Sequence, residues 1–416
     1  MEIRRMEVED VKPFIELMSR SYPGMKLVTD DDIEKMADRF IDLQQNDTST
    51  ALYGAYQSGQ LVGGMRFHDF EMMFYDQKVP VGGIGMVAVD LLHKKERVAK
   101  SLLEYFHKHY LERETYMTAL HPFRPDFYKK MGYGYGTKKN RYRVQPHHLP
   151  KGKSKAHIEY IPLEQIDAIV GFYNKVATKT HGMMIRSHSD FERPMKQPGN
   201  YTIGFVKDGE IKGYVGFSFQ SEHGDSFLQN DILIHEMVYE DTEVLSEFLT
   251  FFHSQHDQVR SIYFDTQDEY FHHLLLNPSN GSNHLIPHVF HESNTQGVGL
   301  MYRILDTVKF LDSVSEMNFG GESLNLKMKV KDSFQPNNEK SVFMKVENGH
   351  ISIKQELNTD VEIELDVSEF STLLMGVVPF DTLVMYGNAT ISSKDYIAHV
   401  TRLFYTRQKP VCLNRF

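Results

Sequence analysis

The stretch VAVDLLHKKERVAK, residues 87–100, joins two kinds of secondary structure. Its first residues, Val87, Ala88 and Val89, end an apolar run typical of a buried β-strand, and helical spacing of apolar residues begins at Val98. Because a helix N-terminus has unpaired N–H groups and the positive end of the helix dipole, cations there favour anion binding. The stretch predicts a strand that runs directly into a helix whose first turn is basic and suits a pyrophosphate, although a solvated basic helix face is the alternative. The cations concerned are Lys94, Lys95, Arg97 and Lys100.

The residues around this stretch predict a mixed α/β sheet. Thr29 is a good N-cap, since three aspartates follow it in the first turn of the second helix. Turns are expected at Ser58-Gly59 and near Gln77-Lys78. In chain order the predicted elements are a strand at 2–6, helices at 8–20 and from 30, three strands within 51–90, a helix from about 98, a strand at 116–120, a short helix at 124–130 and a strand after the 132–136 turn.

The rest of the chain repeats this order faintly and then departs from it. Residues 158–303 predict a helix near 163–177, strands at 202–220 and 227–239, a helix at 243–252 and a strand at 261–266. Acidic residues occupy the strand-to-helix junction of this segment, so a duplicated anion site would have been lost there. They are Glu236, Glu240, Asp241 and Glu243. From about residue 305, strands alternate with turns, including a hairpin at Asn348-Gly349, and helices are expected near 366–375 and 393–404, which describes an α+β unit.

Composition and charge exclude several classes of protein. The chain has 416 residues, of which 41% are hydrophobic and 25% charged, as in globular proteins, and its length predicts two to three domains. A net charge of −10 argues against a nucleic-acid binder. The N-terminal sequence has no apolar core of a secretory signal and no apolar run could span a bilayer, so a cytoplasmic protein without a membrane partner is expected. The single cysteine, Cys412, excludes an intramolecular disulfide.

A second motif, ALHPFRPDFYKKMGYG at residues 119–134, carries a family resemblance. Together with residues 87–100 it resembles the GNAT acyltransferases, in which a loop Arg/Gln-x-x-Gly-x-Gly/Ala holds the pyrophosphate of CoA. The loop here is Lys94-x-x-Arg97-x-Ala99, with Arg97 where the family has a glycine that lets backbone approach phosphate. The second motif is similar to the signature of the enhanced intracellular survival (Eis) family, Ala-Leu-His, then Tyr, then Gly-x-Phe-Gly-Tyr-Gly, with Lys129 and Met131 departing from it. The resemblance covers the whole chain.

This resemblance implies two tandem GNAT domains, the second without cofactor, and a C-terminal domain resembling sterol carrier proteins. We expect them at residues 1–150, 151–304 and 305–416, as two mixed α/β sheets and one α+β domain. The family implies acetyl-CoA as cosubstrate, a homo-hexamer, Tyr128 as general acid and the carboxylate of the last residue, Phe416, as general base. The implied acetyl-CoA site comprises Val87, Ala88, Val89, Lys94, Lys95, Glu96, Arg97, Val98, Ala99, Lys100, Phe123 and Arg124.

Acetyl transfer to an amine needs a base for the amine and an acid for the departing thiolate. A tyrosine with a pKa of about 10 can protonate a thiolate whose thiol titrates near about 8.5. A terminal carboxylate with a pKa of about 3.5 is a poor base for an ammonium, so burial must raise its pKa or it chiefly orients the cation. Glu96 and His121 are alternative bases. Backbone N–H groups of residues 87–89 are expected to polarise the thioester and bind the pantetheine amides.

The expected partner is a small-molecule or peptide amine such as an aminoglycoside, a polyamine or a lysine side chain, in a pocket lined by the region after Tyr22. None of the 21 histidines belongs to a metal-ligand pattern, so no metal is expected. The alternative function is a non-catalytic carrier of lipids or other apolar ligands that uses the C-terminal domain. The departure at Arg97 favours a carrier, and the matched Tyr128 and the apolar end at Phe416 favour an enzyme.

Overall fold

The structure is a computed structural model that describes residues 1–221, 230–287 and 289–416. The elements up to residue 136 follow the predicted order, and the two turns of the β2–β4 meander lie at Ser58-Gly59 and Tyr75-Asp76. They are β1 (Glu2–Arg5), α1 (Val8–Ser21), α2 (Asp30–Asn46), β2 (Thr50–Gln57), β3 (Gln60–Phe74), β4 (Gln77–Val89), α3 (Val98–Glu112), β5 (Met117–Leu120), α4 (Pro125–Lys129) and β6 (Gly134–Tyr135).

Residues 137–299 form a second set of elements. The predicted strand at 227–239 is present from Asn230, and residues 227–229 lie outside the described residues. The set comprises β7 (Lys139–Val144), β8 (Ile158–Tyr160), α5 (Ile166–Ala177), α6 (His188–Lys196), β9 (Asn200–Lys207), β10 (Glu210–Gln220), β11 (Asn230–Tyr239), α7 (Thr242–His253), β12 (Val259–Thr266), β13 (Leu285–Ile286), β14 (Phe290–His291) and β15 (Asn294–Gly297).

The last segment confirms the predicted hairpin, in which Asn348 and Gly349 have φ of 50° and 84°, as a two-residue turn of this type requires. Its elements are β16 (Met301–Ile304), α8 (Thr307–Ser313), β17 (Leu324–Lys331), β18 (Lys340–Glu347), β19 (His350–Lys354), β20 (Val361–Asp366), α9 (Val367–Leu374), α10 (Phe380–Met385), β21 (Ala389–Ile391) and α11 (Ile397–Leu403). The α/β and α+β fold class is confirmed by these sheets and helices.

The chain divides into two compact units. Unit 1 comprises residues 1–136, 300–410 and 414–416, and unit 2 comprises residues 137–299 and 411–413. Unit 1 holds a sheet in the order β1-β2-β3-β4-β5-β16-β6 and a second in the order β19-β18-β17-β20-β21. Unit 2 holds the sheet β15-β7-β12-β11-β10-β9-β8 and the hairpin β13-β14.

One predicted strand belongs to a different sheet than expected. The strand after the 132–136 turn, β7, was expected to extend the first sheet, but it pairs with β12 and β15 in unit 2. The place beside β5 in unit 1 is taken by β16, which lies almost two hundred residues further along the chain. Strand pairing over such a distance is not encoded in local periodicity, which explains the error. The domain boundaries at residues 150 and 304 stay predictions.

Helices cover both faces of the first sheet. Phe14 of α1 packs on one face, where a Cβ on Gly64 would meet its ring, and Leu102 of α3 packs on the other, beside Gly63. Both side chains are fully buried. Successive strand residues face opposite sides, so this pair of glycines lets both helices approach β3 closely. The arrangement fixes α1 and α3 relative to the C-terminal half of β4.

Candidate active site

The open edge of the first sheet begins in the middle of β4. Its parallel pairing with β5 ends at Ile84 and Leu120, so the two strands are no longer hydrogen bonded beyond that point. Against β3 the register shifts between Gly85 and Ala88, which leaves one extra residue in β4. Met86 in this β-bulge has a φ of 53°. A bulge re-aims the following backbone groups, and here it does so where β4 leaves its neighbour.

Backbone groups after the bulge face this open edge. Because Asp90 donates its N–H to β3 at 3.0 Å, the alternate residues Val87 and Val89 turn their backbone groups away from β3. Their carbonyl oxygens accept hydrogen bonds from hydroxyls at the end of α1: Tyr22 donates to Val87 and Ser21 donates to Val89 at 2.9 Å. Their N–H groups point to the same edge. The backbone of Ala88, by contrast, is paired with β3.

The stretch between β4 and α3 is a loop. The helix begins only at Val98, so the prediction of a basic first turn is correct for Lys100 and wrong for Lys94, Lys95 and Arg97, which precede it. The physical reason is backbone conformation: Lys95 and Arg97 have φ of 70° and 65°, in the left-handed region that a right-handed helix excludes. These three cations therefore lie in the loop just before the N-terminus of α3.

The cationic side chains of this loop are exposed. Lys94, Lys95 and Arg97 are exposed and have no ion-pair partner within residues 1–221, 230–287 and 289–416. Lys100 lies 3.6 Å from a carboxylate on its own helix. The carboxylate of Glu96 lies 2.9 Å from Nδ1 of His93. Three free cations at one loop favour an anionic ligand.

Backbone donors complement these cations. No side chain caps α3, because its N-cap residue is Arg97, and the first intrahelical bond runs from Ser101 to Arg97 at 3.0 Å. The N–H groups of Val98, Ala99 and Lys100 therefore have no intrahelical acceptor. Val98 is buried and Ala99 half-buried, so these two offer backbone groups only. The helix N-terminus and the loop together fit a phosphate ligand.

Tyr128 lies in the short helix α4 and is 3% exposed. Three rings meet it edge-on at centroid distances of 5.3–5.9 Å: Phe123, Phe127 and Tyr133. No described residue forms a hydrogen bond with its hydroxyl. Burial raises the pKa of Tyr128 well above its ordinary value, and the nearby Tyr22 phenol raises it further. The group is therefore a protonated phenol at neutral pH.

The two residues before α4 are on the surface. Phe123 is 57% exposed, and the Arg124 guanidinium, also exposed, lies 2.6 Å from Asp126 in a local ion pair. Pro125 occupies the first helical position, which its fixed φ favours. Phe123 thus touches Tyr128 on one side and faces solvent with most of its surface, which makes it accessible to a ligand.

The last residue, Phe416, lies at the point where β4 leaves β5. A Cβ placed on Gly85 would come within 2.9 Å of its carboxyl carbon, so the missing side chain of Gly85 makes room for the carboxyl group. The Phe416 ring packs against His68, Phe70 and His121 at centroid distances of 5.3, 4.8 and 5.0 Å. The carboxyl group is therefore held close to the open edge of β4 by an anchored ring.

The residues before Phe416 are ordered by hydrogen bonds. Within unit 2, Val411 donates its N–H to a backbone carbonyl at 2.9 Å and Cys412 donates to Oε1 of Gln267 at 2.7 Å. Within unit 1, Nε2 of His121 lies 3.1 Å from the carbonyl oxygen of Asn414. These contacts do not fit a frayed chain end. His121 is engaged with the tail backbone rather than free to act as a base.

The corresponding junction in unit 2 is acidic, as predicted. Asp241 caps α7 by accepting from a backbone N–H at 3.1 Å. The other three carboxylates form ion pairs at 2.7–2.8 Å, namely Glu236 with Arg186, Glu240 with Lys175, and Glu243 with Lys207. Paired carboxylates leave no positive surface for a phosphate at this junction.

The part of the chain that the structure describes has neither a metal-binding cluster nor a membrane-spanning helix. No group of three or more His, Cys, Asp or Glu side chains there is placed to hold a metal ion. No described helix combines the length and apolar character needed to cross a bilayer.

Comparisons with known proteins agree with this geometry. Residues 2–136 and 182–304 match models of the acetyltransferase (GNAT) domain, and residues 309–413 match a sterol carrier protein domain. The two GNAT matches together span more than half of the chain, which therefore belongs to the GNAT acetyltransferases. It is an acyltransferase, and acetyl-CoA is its cosubstrate. This order of two GNAT domains and a sterol carrier domain is the one that the resemblance to the Eis family implies.

Solved structures share the fold over the full length. A GCN5-related N-acetyltransferase from Anabaena variabilis is 16% identical with a TM-score of 0.82, and each chain is covered completely. A probable N-acyltransferase from Enterococcus faecalis is 18% identical with a TM-score of 0.79, over 100% of this chain and 99% of the other. Eis1 from Mycobacterium abscessus is 17% identical with a TM-score of 0.76 over all of both chains. No curated protein matches the sequence.

Three features of this candidate site were not predicted from the sequence. They are Gly85, His68 and the hydrogen bond that Tyr22 donates to β4. A signal for the first was present, since the run Gly82-Gly83-Ile84-Gly85 inside a strand marks close approach of other groups. His68 has no local motif, because what singles it out is its position opposite the chain terminus. Tyr22 was expected only near the substrate pocket.

Proposed function

We propose that the protein is an N-acetyltransferase that transfers the acetyl group of acetyl-CoA to a primary amine, with Tyr128 as general acid and the Phe416 carboxylate as general base. The observation that carries this proposal is the carboxyl group of Phe416 beside Gly85, at the start of the open edge of β4. A GNAT substrate thioester lies along that edge if its pantetheine amides pair with β4. The carboxylate then faces the reacting carbonyl.

The acetyl-CoA site of the proposal follows β4 and the loop after it. N–H groups of Val87 and Val89 pair with pantetheine, while the N–H groups at Val98–Lys100 and the side chains of Lys94, Lys95 and Arg97 bind phosphates. Ala88 contributes by fixing the strand through its pairing with β3. The roles of Glu96, Phe123 and Arg124 at the rim of this site stay predictions.

The reaction assigns opposite proton tasks to the two catalytic groups. The carboxylate holds the substrate ammonium and accepts a proton from the nitrogen that attacks the thioester carbonyl. As the C–S bond breaks, Tyr128 donates its proton to the sulfur. Burial raises the pKa of Tyr128, which keeps it in the acid form throughout the working range. Burial at the same place also raises the pKa of the departing thiol, so the pKa values of the proton donor and the proton acceptor shift in the same direction.

The substrate class in this proposal is a small or peptide-borne primary amine: an aminoglycoside, a polyamine or a lysine side chain. An acidic protein with a carboxylate at the reacting point favours a cationic acceptor. We also propose a cytoplasmic homo-hexamer on the basis of the family resemblance. Light scattering at micromolar concentration tests the assembly, and a monomer would contradict it.

The chain terminus provides the decisive experiment. Adding a short C-terminal extension removes the charge from Phe416, so we expect turnover of an amine panel to fall by about 10²–10⁴-fold. Calorimetric affinity for acetyl-CoA should stay within a few-fold of wild type. The matched control carries the same extension at the N-terminus, which leaves the carboxylate intact. Tyr128→Phe should lower turnover less if water replaces the phenol.

Two results would contradict the proposal. Full activity of the C-terminally extended protein would show that the tail only packs, and the base would have to be found elsewhere. Absence of acetyl-CoA binding at millimolar concentration would favour the carrier function instead. Folding of each variant is checked by circular dichroism, so that loss of structure is not mistaken for loss of chemistry.

A further inference from the structure

His68 on β3 is buried and has an unused hydrogen-bonding atom. Its side chain is 6% exposed, and its Nε2 has no hydrogen-bond partner in the described protein. A buried polar atom without a partner costs about 1–3 kcal/mol, so it calls for an explanation. His107, another buried histidine of unit 1, also has one nitrogen without a partner, Nδ1, while its Nε2 lies 3.0 Å from the Tyr133 hydroxyl. What singles out His68 is therefore the position of its unpartnered atom, and not the lack of a partner alone.

The unused atom faces the same small volume as the chain terminus. A Cβ on Gly85 would lie 2.9 Å from the Phe416 carboxyl carbon and 3.6 Å from Nε2 of His68. The His68 ring is fixed by stacking on Phe70, with centroids 5.3 Å apart and planes 10° from parallel. Gly83 makes this stack possible, since a Cβ there would overlap the Phe70 ring. The imidazole is thus rigidly aimed at the space above Gly85.

The charge state of His68 follows from its surroundings. Burial lowers the pKa of His68 well below 6.5, and the Arg66 cation on the same strand lowers it further. The groups facing it from other elements are the Phe416 carboxylate and ring from the tail and the Tyr110 hydroxyl of α3, which donates to the His68 carbonyl at 2.9 Å. At neutral pH the imidazole is neutral, and one of its nitrogens is a proton acceptor.

We propose that His68 is a further catalytic residue, whose Nε2 accepts the first proton of the substrate ammonium while the Phe416 carboxylate holds that ammonium in place. This inference rests on the proposed function. An ammonium must lose two protons to become an amide nitrogen, and a single carboxylate can accept only one of them. The carboxylate remains the acceptor for the second proton, which a positively charged adduct nitrogen gives up readily.

The two protons of the ammonium leave in separate steps. The ammonium R–NH₃⁺ gives a proton to His68, and the imidazolium that forms is stabilised by the adjacent carboxylate. The nitrogen lone pair of R–NH₂ forms the C–N bond, the carbonyl electron pair moves to oxygen, and the adduct nitrogen gives its proton to the carboxylate. When the carbonyl reforms, the C–S bond breaks, its electron pair goes to sulfur and Tyr128 protonates it. The carboxyl proton returns to the phenolate through water, and His68 releases one proton to solvent.

His68→Gln tests this proposal, because glutamine retains a polar atom near Nε2 but does not take up a proton. With acetyl-CoA and 1,5-diaminopentane as probe, we expect kcat/KM at pH 7 to fall by about 10²–10⁴-fold. The remaining rate should rise about tenfold per pH unit, since only the neutral fraction of the amine then reacts. With aniline, which is already neutral at pH 7, the loss should be less than about tenfold, whereas a merely structural role would lower both rates equally.

His107→Gln is the matched control, since it makes the same change at a buried histidine with a hydrogen-bond partner. It should leave the ratio of diamine to aniline rates at the wild-type value. An equal loss with both amines in His68→Gln, or an unchanged pH profile, would overturn the inference while leaving the proposed function intact. No turnover of any amine by the wild type, or full turnover by the C-terminally extended protein, would overturn the proposed function and the inference with it.

Discussion

Gly85 offers a direct test of the position of the chain terminus. In Gly85→Ala the new Cβ would lie 2.9 Å from the Phe416 carboxyl carbon, closer than carbon atoms approach in proteins. A normal contact is about 3.5–4.0 Å, so the carboxyl group must move by roughly 1 Å. A displacement of about 1 Å in a reacting group lowers the rate by about 10²-fold. The substitution adds one methyl group and changes no charge.

The expected effect on stability is much smaller than the effect on rate. The overlapping group is a chain end that can shift, so the cost should be near the lower limit for overpacking, about 1 kcal/mol. For units of this size that corresponds to a decrease in Tm of about 2–4 °C. Calorimetry should give an acetyl-CoA Kd within a few-fold of wild type, because the phosphate-binding loop is unchanged.

Gly216→Ala is the matched control, since it makes the same substitution in a strand, β10, where a Cβ would meet nothing within 4 Å. It should leave kcat unchanged. The assay measures acetyl transfer to 1,5-diaminopentane and the melting temperature for both variants. Wild-type kcat in Gly85→Ala would refute the placement of the carboxylate at β4, and a comparable loss in Gly216→Ala would show that the assay reports general damage to the sheet.

Three further predictions address binding and stability. Replacing Lys95 and Arg97 together with alanine should raise the KM for acetyl-CoA at least about tenfold, since each charge-assisted contact contributes about 1.5–3 kcal/mol; an unchanged KM would locate the phosphates elsewhere. Arg303 and Asp332 form a fully buried ion pair at 2.6 Å, so Arg303→Met leaves a buried carboxylate without its cation. We expect the free energy of unfolding in denaturant titrations to fall by about 3–5 kcal/mol, and a loss below about 1 kcal/mol would contradict this. Burial lowers the pKa of His107 well below 6.5, so below about pH 6.5 the unfolded chain binds a proton that the folded protein does not. The stability that the neutral imidazole contributes is therefore complete above about pH 6.5 and is lost as pH falls. His107→Gln should reduce the slope of unfolding free energy against pH by up to about 1.4 kcal/mol per unit, and an unchanged slope would refute this prediction.

Local sequence patterns predicted much of the fold because the elements concerned are locally encoded. Thr29 accepts from the Asp32 N–H at 3.1 Å, as expected of an N-cap, and Asn348-Gly349 forms the expected hairpin turn. The sheet membership of β7 was mispredicted because its partners lie more than a hundred residues away. Such pairing depends on which edges are free after folding, and no periodicity in β7 itself carries that information.

The candidate active site, too, depends on both local and distant contacts. Tyr128 and Phe416 were proposed through a family resemblance, and neither position would have been chosen from its own neighbours in sequence. His68 and Gly85 were missed because their importance arises only when the chain end arrives beside them. A strand histidine and a strand glycine have ordinary structural explanations when read alone. Their proposed roles depend on contacts with Phe416, which lies more than three hundred residues further along the chain.

Arg97, in the loop proposed to bind CoA, stands where the GNAT motif has a glycine. Arg97 has a φ of 65°, a conformation that glycine adopts freely and that costs other residues about 1–2 kcal/mol. A glycine could adopt the same conformation, so the arginine does not by itself require another direction of the N–H groups at the start of α3. The side chain of Arg97 is exposed, so it adds a cation beside those N–H groups instead of filling their space. We therefore expect the arginine to change the strength and salt dependence of acetyl-CoA binding and not its location.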